Sequence, residues 1–237
     1  MEVDPPSPAV GAPSRLAPAE RNVLLQEKQL KLWDDTEKDI YKKLKTRRFV
    51  LTPAYDPALL QATGMNTEFE LIFKAVGWED VWEINEPGSK LLTAEFLCTL
   101  KPNDLEVPFR LFRKVFSIPW KQFSELLGFH VQYVIDVDTA IQYFVRMKFW
   151  REISKELTCY RPRTNEIHHP TLRFMHKWLG FSLFPRNDFH TVRNDEFKLL
   201  YAMVMRRKVS PVQFMMKQWK KILNLREILG VLLWSPA

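Results

Sequence analysis

The sequence has few cysteines and no long apolar segment. Its 237 residues contain two cysteines, Cys98 and Cys159, so we expect no disulfide framework and a reducing compartment. No run of about 18 apolar residues is available to span a bilayer. Residues 1–19 have neither the basic start nor the apolar block of a signal peptide. These absences predict a soluble, intracellular protein, nuclear or cytoplasmic, that has no membrane partner.

The motifs of common enzymes are also missing. There is no Gly-rich phosphate loop, no Ser nucleophile elbow and no His-Glu zinc helix. Zinc fingers and knuckles use paired ligands at short separations, whereas Cys159 has no second cysteine near it. We therefore predict no metal site from Cys159, His168, His169 and His176. No cofactor and no small-molecule substrate are expected.

One segment is similar to a protease motif. Val137-Asp138-Thr139-Ala140 resembles the Asp-Thr-Gly loop of retroviral-type aspartic proteases, and Ile228-Leu229-Gly230 resembles their later apolar motif. Such enzymes bring two carboxylates together across a β-rich dimer. The residues between these motifs have helical patterns instead, so we interpret Asp138 as a helix cap and predict no enzyme.

The residues that are present suit a globular protein with a tail. Apolar residues make up 46% of the chain, including 17 Phe and 8 Trp, which is ample for a core. Residues 1–19 contain five prolines and are predicted to be a disordered tail. Residues 20–48 are highly charged and predict a long helix, for which a self-associating coiled coil remains open. Its heptad-like seam consists of Val23, Leu30, Trp33, Ile40 and Leu44.

Residues 49–223 are predicted to form a helical domain. Apolar spacing predicts a helix over Leu91–Leu100, and partial alternation predicts a hairpin at about residues 107–118, although its turn lacks Gly or Asn. Trp78 and Trp82 are expected to pack in the core. Further helices are predicted over residues 57–64, 66–77, 117–128, 138–157, 170–180, 196–205 and 211–223. The fold class is mainly α, a compact helical domain with one small β-hairpin, a long N-terminal helix and a disordered tail.

Positive charge is concentrated late in the chain. Residues 141–237 hold 18 Lys and Arg against 7 Asp and Glu, while residues 1–140 hold 17 against 21. A polyanion would therefore meet the C-terminal part. Clustered cations neutralise phosphates, and a neighbouring aromatic ring stacks on unpaired bases. The candidate nucleic-acid-binding residues are Arg206, Arg207, Lys208, Lys217, Trp219, Lys220 and Lys221. An ordinary solvated basic face is the alternative interpretation.

Several motifs, taken in order, carry a family resemblance over about residues 47–222. The chain resembles the protein encoded by the first open reading frame of Athila-type plant retrotransposons, a gypsy-like lineage, and the related plant transposon protein domains. The shorter motifs are Arg47-Arg48-Phe49, Tyr55-Asp56 and Val76-Gly77-Trp78. The longer ones are Leu92–Leu100, Phe109–Phe112, Phe123–Phe129, Leu183–Asn187 and Val192–Val204.

The resemblance implies a non-enzymatic, gag-like structural protein that packages RNA or assembles particles. The chain has too few cysteines for a Cys-Cys-His-Cys knuckle, so weak, non-specific binding of RNA or DNA is expected from the basic helices, with self-association through residues 20–48. Residues 224–237 do not match the expected pattern and suggest a truncated C-terminal tail. Two alternatives remain open: a transposon-derived regulatory domain that binds a protein partner, as plant mobile-domain proteins do, and a degenerate copy without a present function.

Overall fold

Helices form most of the structure, as predicted, and two antiparallel strands add one small hairpin. The computed structural model describes residues 30–46, 49–50, 57–81, 88–129, 136–184, 190–224 and 232–233. Within them the helices are α1 (Asp35–Lys45), α2 (Pro57–Ala62), α3 (Asn66–Val76), α4 (Lys90–Thr99), α5 (Trp120–Leu126), α6 (Val137–Ala140), α7 (Arg146–Ser154), α8 (Pro170–Trp178), α9 (Asn194–Val204) and α10 (Val212–Asn224). The strands are β1 (Phe49–Val50), β2 (Glu106–Leu111), β3 (Lys114–Pro119) and β4 (Leu232–Leu233). None of the described helices is long and apolar enough to cross a membrane.

An aromatic core joins the middle of the chain to its C-terminal helices. Trp78 is fully buried, with its ring centroid 6.2 Å from that of Phe73 and 5.6 Å from that of Phe129. Trp178 of α8 packs edge-on against Phe73 at 4.8 Å. The indole N–H of Trp78 donates to the carbonyl of Val209 at 2.7 Å, so its one polar atom is paired. The core position predicted for Trp78 is confirmed, while Trp82 lies outside the described residues.

The first helix is shorter at its start than the predicted segment 20–48. Helix α1 begins at Asp35, where the side chain of Asp34 caps it by accepting from the backbone N–H of Glu37. Leu44 is buried and Ile40 packs against the core of the same chain. The two seam residues within α1 therefore face inward, whereas Trp33, which precedes the helix, is 60% exposed. Residues 1–29 and 47–48, including the predicted tail and Val23, lie outside the described residues.

A buried ion pair holds this N-terminal segment on the hairpin. The guanidinium of Arg110 in β2 donates to both carboxylate oxygens of Glu37, at 2.7 and 3.3 Å, and to the carbonyl of Lys31 at 2.6 Å. Both charged side chains are 4% exposed. The guanidinium also lies 3.8 Å from the ring centroid of Trp33. Helix α1 is thus fixed to β2 by paired charges that solvent cannot screen.

The hairpin forms with the predicted strands and an unexpected turn. Val107 pairs with Ile118 and Leu111 with Lys114, which leaves Phe112 and Arg113 as a two-residue turn. Their φ values of 52° and 66° are left-handed, the conformation for which such turns normally use Asn or Gly. The buried carboxylate of Glu95 in α4 accepts from both backbone N–H groups, at 3.0 and 3.3 Å. This contact from a neighbouring helix replaces the missing turn residues.

Three predicted helix ends are confirmed, and two predictions about helices are wrong. Gly64, Gly77 and Gly128 end their helices at φ values of 69°, 78° and 84°. Gly180 does not end α8, because the chain continues as a π-helical turn through Leu183, which keeps Leu179 and Leu183 buried. The residues from 138 to 157 are not one helix.

That predicted helix divides into α6 and α7, and its cap lies elsewhere. The side chain of Asp136, not Asp138, caps α6 by accepting from the backbone N–H of Asp138 at 3.1 Å. The hydroxyl of Thr139 donates to Asp136 and lowers the pKa of its carboxyl. The intervening residues 141–145 are all β-branched or aromatic except Gln142, and such residues favour helix weakly. Val145 consequently lies in extended backbone before α7 and is exposed rather than inward.

A segment near the end of the chain, whose structure the sequence patterns did not predict, pairs with an earlier segment. Leu232 pairs with Phe49 and Leu233 with Val50 in a short parallel ladder. The strands are separated by most of the chain, so no local pattern signals their contact. The other residues of the predicted tail 224–237 lie outside the described residues, apart from Asn224 at the end of α10.

Replacing one member of the buried ion pair is expected to destabilise the fold strongly. Arg110→Met leaves the Glu37 carboxylate buried without its partner, which typically costs about 3–5 kcal/mol of the free energy of unfolding. Urea denaturation measures this change. The double variant Glu37→Leu/Arg110→Met should recover much of the loss. Asp39→Asn, which removes an exposed pair with Lys42 on the same helix, is the control and should change the midpoint little.

Relieving the left-handed turn is expected to stabilise the hairpin. Arg113→Gly should raise the free energy of unfolding by about 0.5–1 kcal/mol, because glycine adopts positive φ without a Cβ clash. Thermal unfolding measures the effect. Lys114→Gly, one residue later in β3, should instead destabilise the protein. If the two variants changed the stability equally, this would contradict backbone strain at Arg113.

Candidate nucleic-acid interface

Helix α10 has one buried face and one face of exposed lysines. Met215, Met216 and Trp219 are buried. Gln213 and the lysines at 217, 220 and 221 are exposed. With 3.6 residues per turn, burial of Trp219 directs Lys217, Lys220 and Lys221 away from the core. The packing of α10 therefore decides where these lysines point.

The lysine face forms one wall of an open groove with a volume of about 590 Å³. The opposite wall is the loop between α4 and β2, together with Trp120 at the start of α5. Trp120 is only partly buried, so its ring contributes an apolar surface to the groove. The lining residues are Pro102, Asn103, Asp104, Trp120, Gln213, Met216, Lys217, Lys220 and Lys221.

Hydrogen bonds hold the loop wall in one shape. The side-chain oxygen of Asn103 accepts from the backbone N–H groups of Leu105 and Glu106, at 2.8 and 2.9 Å. The indole N–H of Trp120 donates to the Asn103 carbonyl at 3.0 Å. The ammonium of Lys101 lies 2.9 Å from Asp34, and this hydrogen bond lowers the pKa of the Asp34 carboxyl. Lys101 is thus engaged outside the groove, while Trp120 is fixed within it.

Residues just before α10 set the position of the helix. The hydroxyls of Ser124 and Ser210 are buried and lie 2.7 Å apart, which ties the start of α10 to α5. Ser210 also accepts from the backbone N–H of Val212 at 3.4 Å. The neighbouring carbonyl of Val209 is bound by Trp78. Because α5 carries Trp120, these contacts fix both groove walls to the same core.

The charges of the groove remain largely available. Lys217 lies 3.8 Å from Asp195, and Lys220 lies 3.5 Å from the carbonyl of Pro102, which is the limit of a hydrogen bond. Both lysines are exposed, and exposed pairs of this kind contribute little energy. Lys220 and Lys221 also lie in the last turns of α10, where the helix dipole favours cations. Three ammonium groups thus face solvent along one side of the groove.

The structure separates the sequence-predicted basic residues into two groups. Arg206, Arg207 and Lys208 are exposed in the turn between α9 and α10, but they do not line the groove. Lys220 is the ninth residue of α10. It therefore lies about 12 Å along the helix axis from Val212, the first residue of the helix that follows this turn. Only Lys217, Lys220 and Lys221 meet in the groove.

Trp219 does not suit the stacking role that the sequence suggested. Its side chain is 3% exposed, and its ring packs edge-on against Phe96 with centroids 5.5 Å apart. Trp120 offers the exposed ring instead. Its neighbourhood depends on contacts such as that between Pro102 and Lys220, which are 118 residues apart. No local sequence signal marks Trp120, Asn103, Asp104 or Gln213 as groove residues.

His176, one of the zinc candidates, belongs to a buried polar cluster. Its Nδ1 lies 2.9 Å from the Thr164 hydroxyl and its Nε2 lies 2.9 Å from Glu196. This order resembles a hydrolase triad, but the side chains of His176 and Glu196 are 0% and 1% exposed, so substrate cannot reach the hydroxyl. Both ring nitrogens are occupied by protein groups. Among the described residues, no three His, Cys, Asp or Glu side chains are grouped as metal ligands would be.

The structure also shows the surroundings of Asp138 and Cys98, two other side chains that could react. Asp138 is exposed and accepts a hydrogen bond from Lys198. Burial raises the pKa of the Cys98 thiol to about 12, and the negative charge of Glu37 acts in the same direction. Cys98 is therefore protonated at neutral pH and is a weak nucleophile.

The model of the ATHILA ORF-1 family matches residues 19–206. The match covers most of the chain and places the protein among plant retrotransposon-derived proteins. The chain belongs to the ATHILA ORF-1 family, in agreement with the sequence resemblance. The matched residues include the loop wall and Trp120 but end before α10. Comparisons with curated proteins and with solved structures gave no match.

The two tryptophans are expected to respond differently to substitution. Trp219→Ala removes a buried ring and should lower the free energy of unfolding by about 3–5 kcal/mol. Trp120→Ala, at the partly exposed groove position, should cost distinctly less. Urea denaturation of both variants checks this order. A larger loss for Trp120 than for Trp219 would contradict the assignment of their environments.

Proposed function

We propose that the protein is a non-enzymatic, gag-like structural protein of a retrotransposon that binds single-stranded nucleic acid weakly and non-specifically through the α10 groove. The observation that carries this proposal is the convergence of Lys217, Lys220, Lys221 and the partly exposed ring of Trp120 on one groove. RNA and DNA share the phosphates and base faces that such a groove binds.

The groove combines the two contacts that single strands use. Lysine ammonium groups neutralise phosphates and release counterions, while an aromatic ring stacks on a base of any identity. A double helix hides its base faces, so the ring of Trp120 favours unpaired strands. The cationic excess of residues 141–237 adds long-range attraction for a polyanion. The affinity should therefore fall steeply with salt.

Self-association through residues 20–48 is a separate part of the proposal. Ile40 and Leu44 pack within their own chain, so this contact would use residues 20–29 and the exposed side of α1. The molar mass of the protein, measured by light scattering coupled to size-exclusion chromatography, tests this self-association. A dimer that is lost when residues 1–29 are deleted would support the proposal, and a monomer at every concentration would contradict it.

Removing the groove lysines is expected to reduce the salt dependence of binding. Each phosphate contact on a single strand contributes about −0.7 to the slope of log K against log salt concentration. Lys217→Gln/Lys220→Gln/Lys221→Gln should therefore make the slope for an oligouridine shallower by about 2. Fluorescence anisotropy over a salt series measures it. The variant also weakens binding at low salt.

The matched control is Arg206→Gln/Arg207→Gln/Lys208→Gln. It removes the same charge from the neighbouring turn, which does not line the groove, and should change the slope much less. Equal slopes for the two triple variants would contradict a groove-specific site. A protein partner that is captured after nuclease treatment, with no nucleic-acid binding, would favour the regulatory interaction domain.

A further inference from the structure

The groove contains two polar side chains whose chemistry goes beyond phosphate binding. Asp104 and Gln213 line opposite walls, and both are exposed. Within the described residues, neither side chain has a hydrogen-bond or ion-pair partner. We propose that the groove holds one unpaired guanine, stacked on Trp120, with its Watson–Crick edge bound by Asp104 and Gln213. This inference rests on the proposed function and names a base preference for the same groove.

A carboxylate in a lysine-lined groove is unfavourable for phosphate binding. Asp104 repels a phosphate and reduces the positive potential of the neighbouring lysines. Even so, it does not pair with Lys217, Lys220 or Lys221. Its carboxylate is a pure acceptor of hydrogen bonds at neutral pH. A ligand that brings two adjacent donors would turn this unfavourable charge into a favourable contact.

Guanine is the base whose edge has this pattern. It presents the N1–H and the N2 amino group side by side, which match the two oxygens of one carboxylate. Adenine and cytosine present a single amino donor beside an acceptor, and uracil presents one N–H between two acceptors. The O6 atom of guanine then remains to accept from the amide of Gln213 on the other wall. Single-stranded RNA is commonly recognised through such base edges combined with stacking.

The loop presents Asp104 and Trp120 as one unit. The side-chain oxygen of Asn103 accepts hydrogen bonds from the backbone N–H groups of Leu105 and Glu106, which follow Asp104 in the chain. The backbone N–H of Asn103 donates to the Glu106 carbonyl at 3.1 Å. The Trp120 indole is bound to the carbonyl of the same Asn103. A base stacked on the Trp120 ring therefore lies beside Asp104. The lysines of α10 remain available for the flanking phosphates.

The test compares uridine-rich RNA oligonucleotides that differ only at one central position. Guanosine, inosine and adenosine at this position are measured by fluorescence anisotropy with the full chain. A bidentate contact of this type discriminates by about five-fold to a hundred-fold. We expect guanosine to bind tightest and adenosine weakest. Inosine, which lacks only the N2 amino group, should fall between them.

The variant Asp104→Asn separates base recognition from charge. An amide cannot accept both guanine donors, so the preference for guanosine should disappear. The same change removes a negative charge and should leave the affinity for an all-uridine oligonucleotide equal or higher. Asp104 is exposed, so an unchanged thermal midpoint is expected to confirm that the variant is folded. A preference for guanosine that persists in Asp104→Asn would overturn the inference.

The remaining outcomes distinguish the inference from the proposed function. Equal binding of the three oligonucleotides by the native chain overturns the guanine site and leaves non-specific binding intact. No binding of any of them, even at low salt, overturns both. Gln213→Ala should weaken binding of the guanosine and inosine oligonucleotides equally, because both bases carry O6. Its binding of the adenosine oligonucleotide should be unchanged. A loss confined to adenosine would contradict the place assigned to Gln213.

Discussion

The packing around Phe96 is the contact on which both the fold and the groove depend. The ring of Phe96 in α4 lies 5.1 Å from Phe109 of β2, 6.4 Å from Phe123 of α5 and 5.5 Å from Trp219 of α10, measured between centroids. One side chain therefore joins the hairpin and two helices. Because Trp219 must face Phe96, the rotation of α10 is fixed, and its lysines face the groove. The same cluster holds α5, which places Trp120 on the other side.

Two ionic contacts extend this arrangement to the N-terminal segment. The buried pair of Arg110 and Glu37 joins β2 to α1, and the exposed pair of Lys101 and Asp34 joins the groove loop to the cap of α1. The hydrogen bonds of Asn103 hold the loop wall in place before any ligand arrives. A preformed wall saves the entropy that a mobile loop would lose on binding. The groove is therefore a consequence of core packing and not a feature of a single motif.

Local patterns predicted much of the fold because local rules determined it. Helix α4, the presence of the hairpin and the left-handed glycines at 64, 77 and 128 follow from apolar spacing and backbone preference. The split of the predicted helix 138–157 has a local cause in residues 141–145, whereas three other departures have long-range causes. Glu95 supports a turn that its own residues disfavour, core contacts of Leu179 and Leu183 carry α8 past Gly180, and β1 pairs with β4 from the end of the chain. The lysines were found from charge alone, whereas Trp120 and Asp104 become groove residues only through contacts across the chain.

Membership of the ATHILA ORF-1 family and a preformed lysine–tryptophan groove together support the proposal that the protein binds nucleic acid. The most direct test maps the contact itself. Single-stranded RNA carrying a photoreactive uridine is crosslinked to the full chain, and the attached residues are identified by mass spectrometry. The account predicts crosslinks at Trp120, in the loop from Pro102 to Asp104 and on the lysine face of α10. Crosslinks confined to the turn from Arg206 to Lys208, or absent from both groove walls, would contradict it.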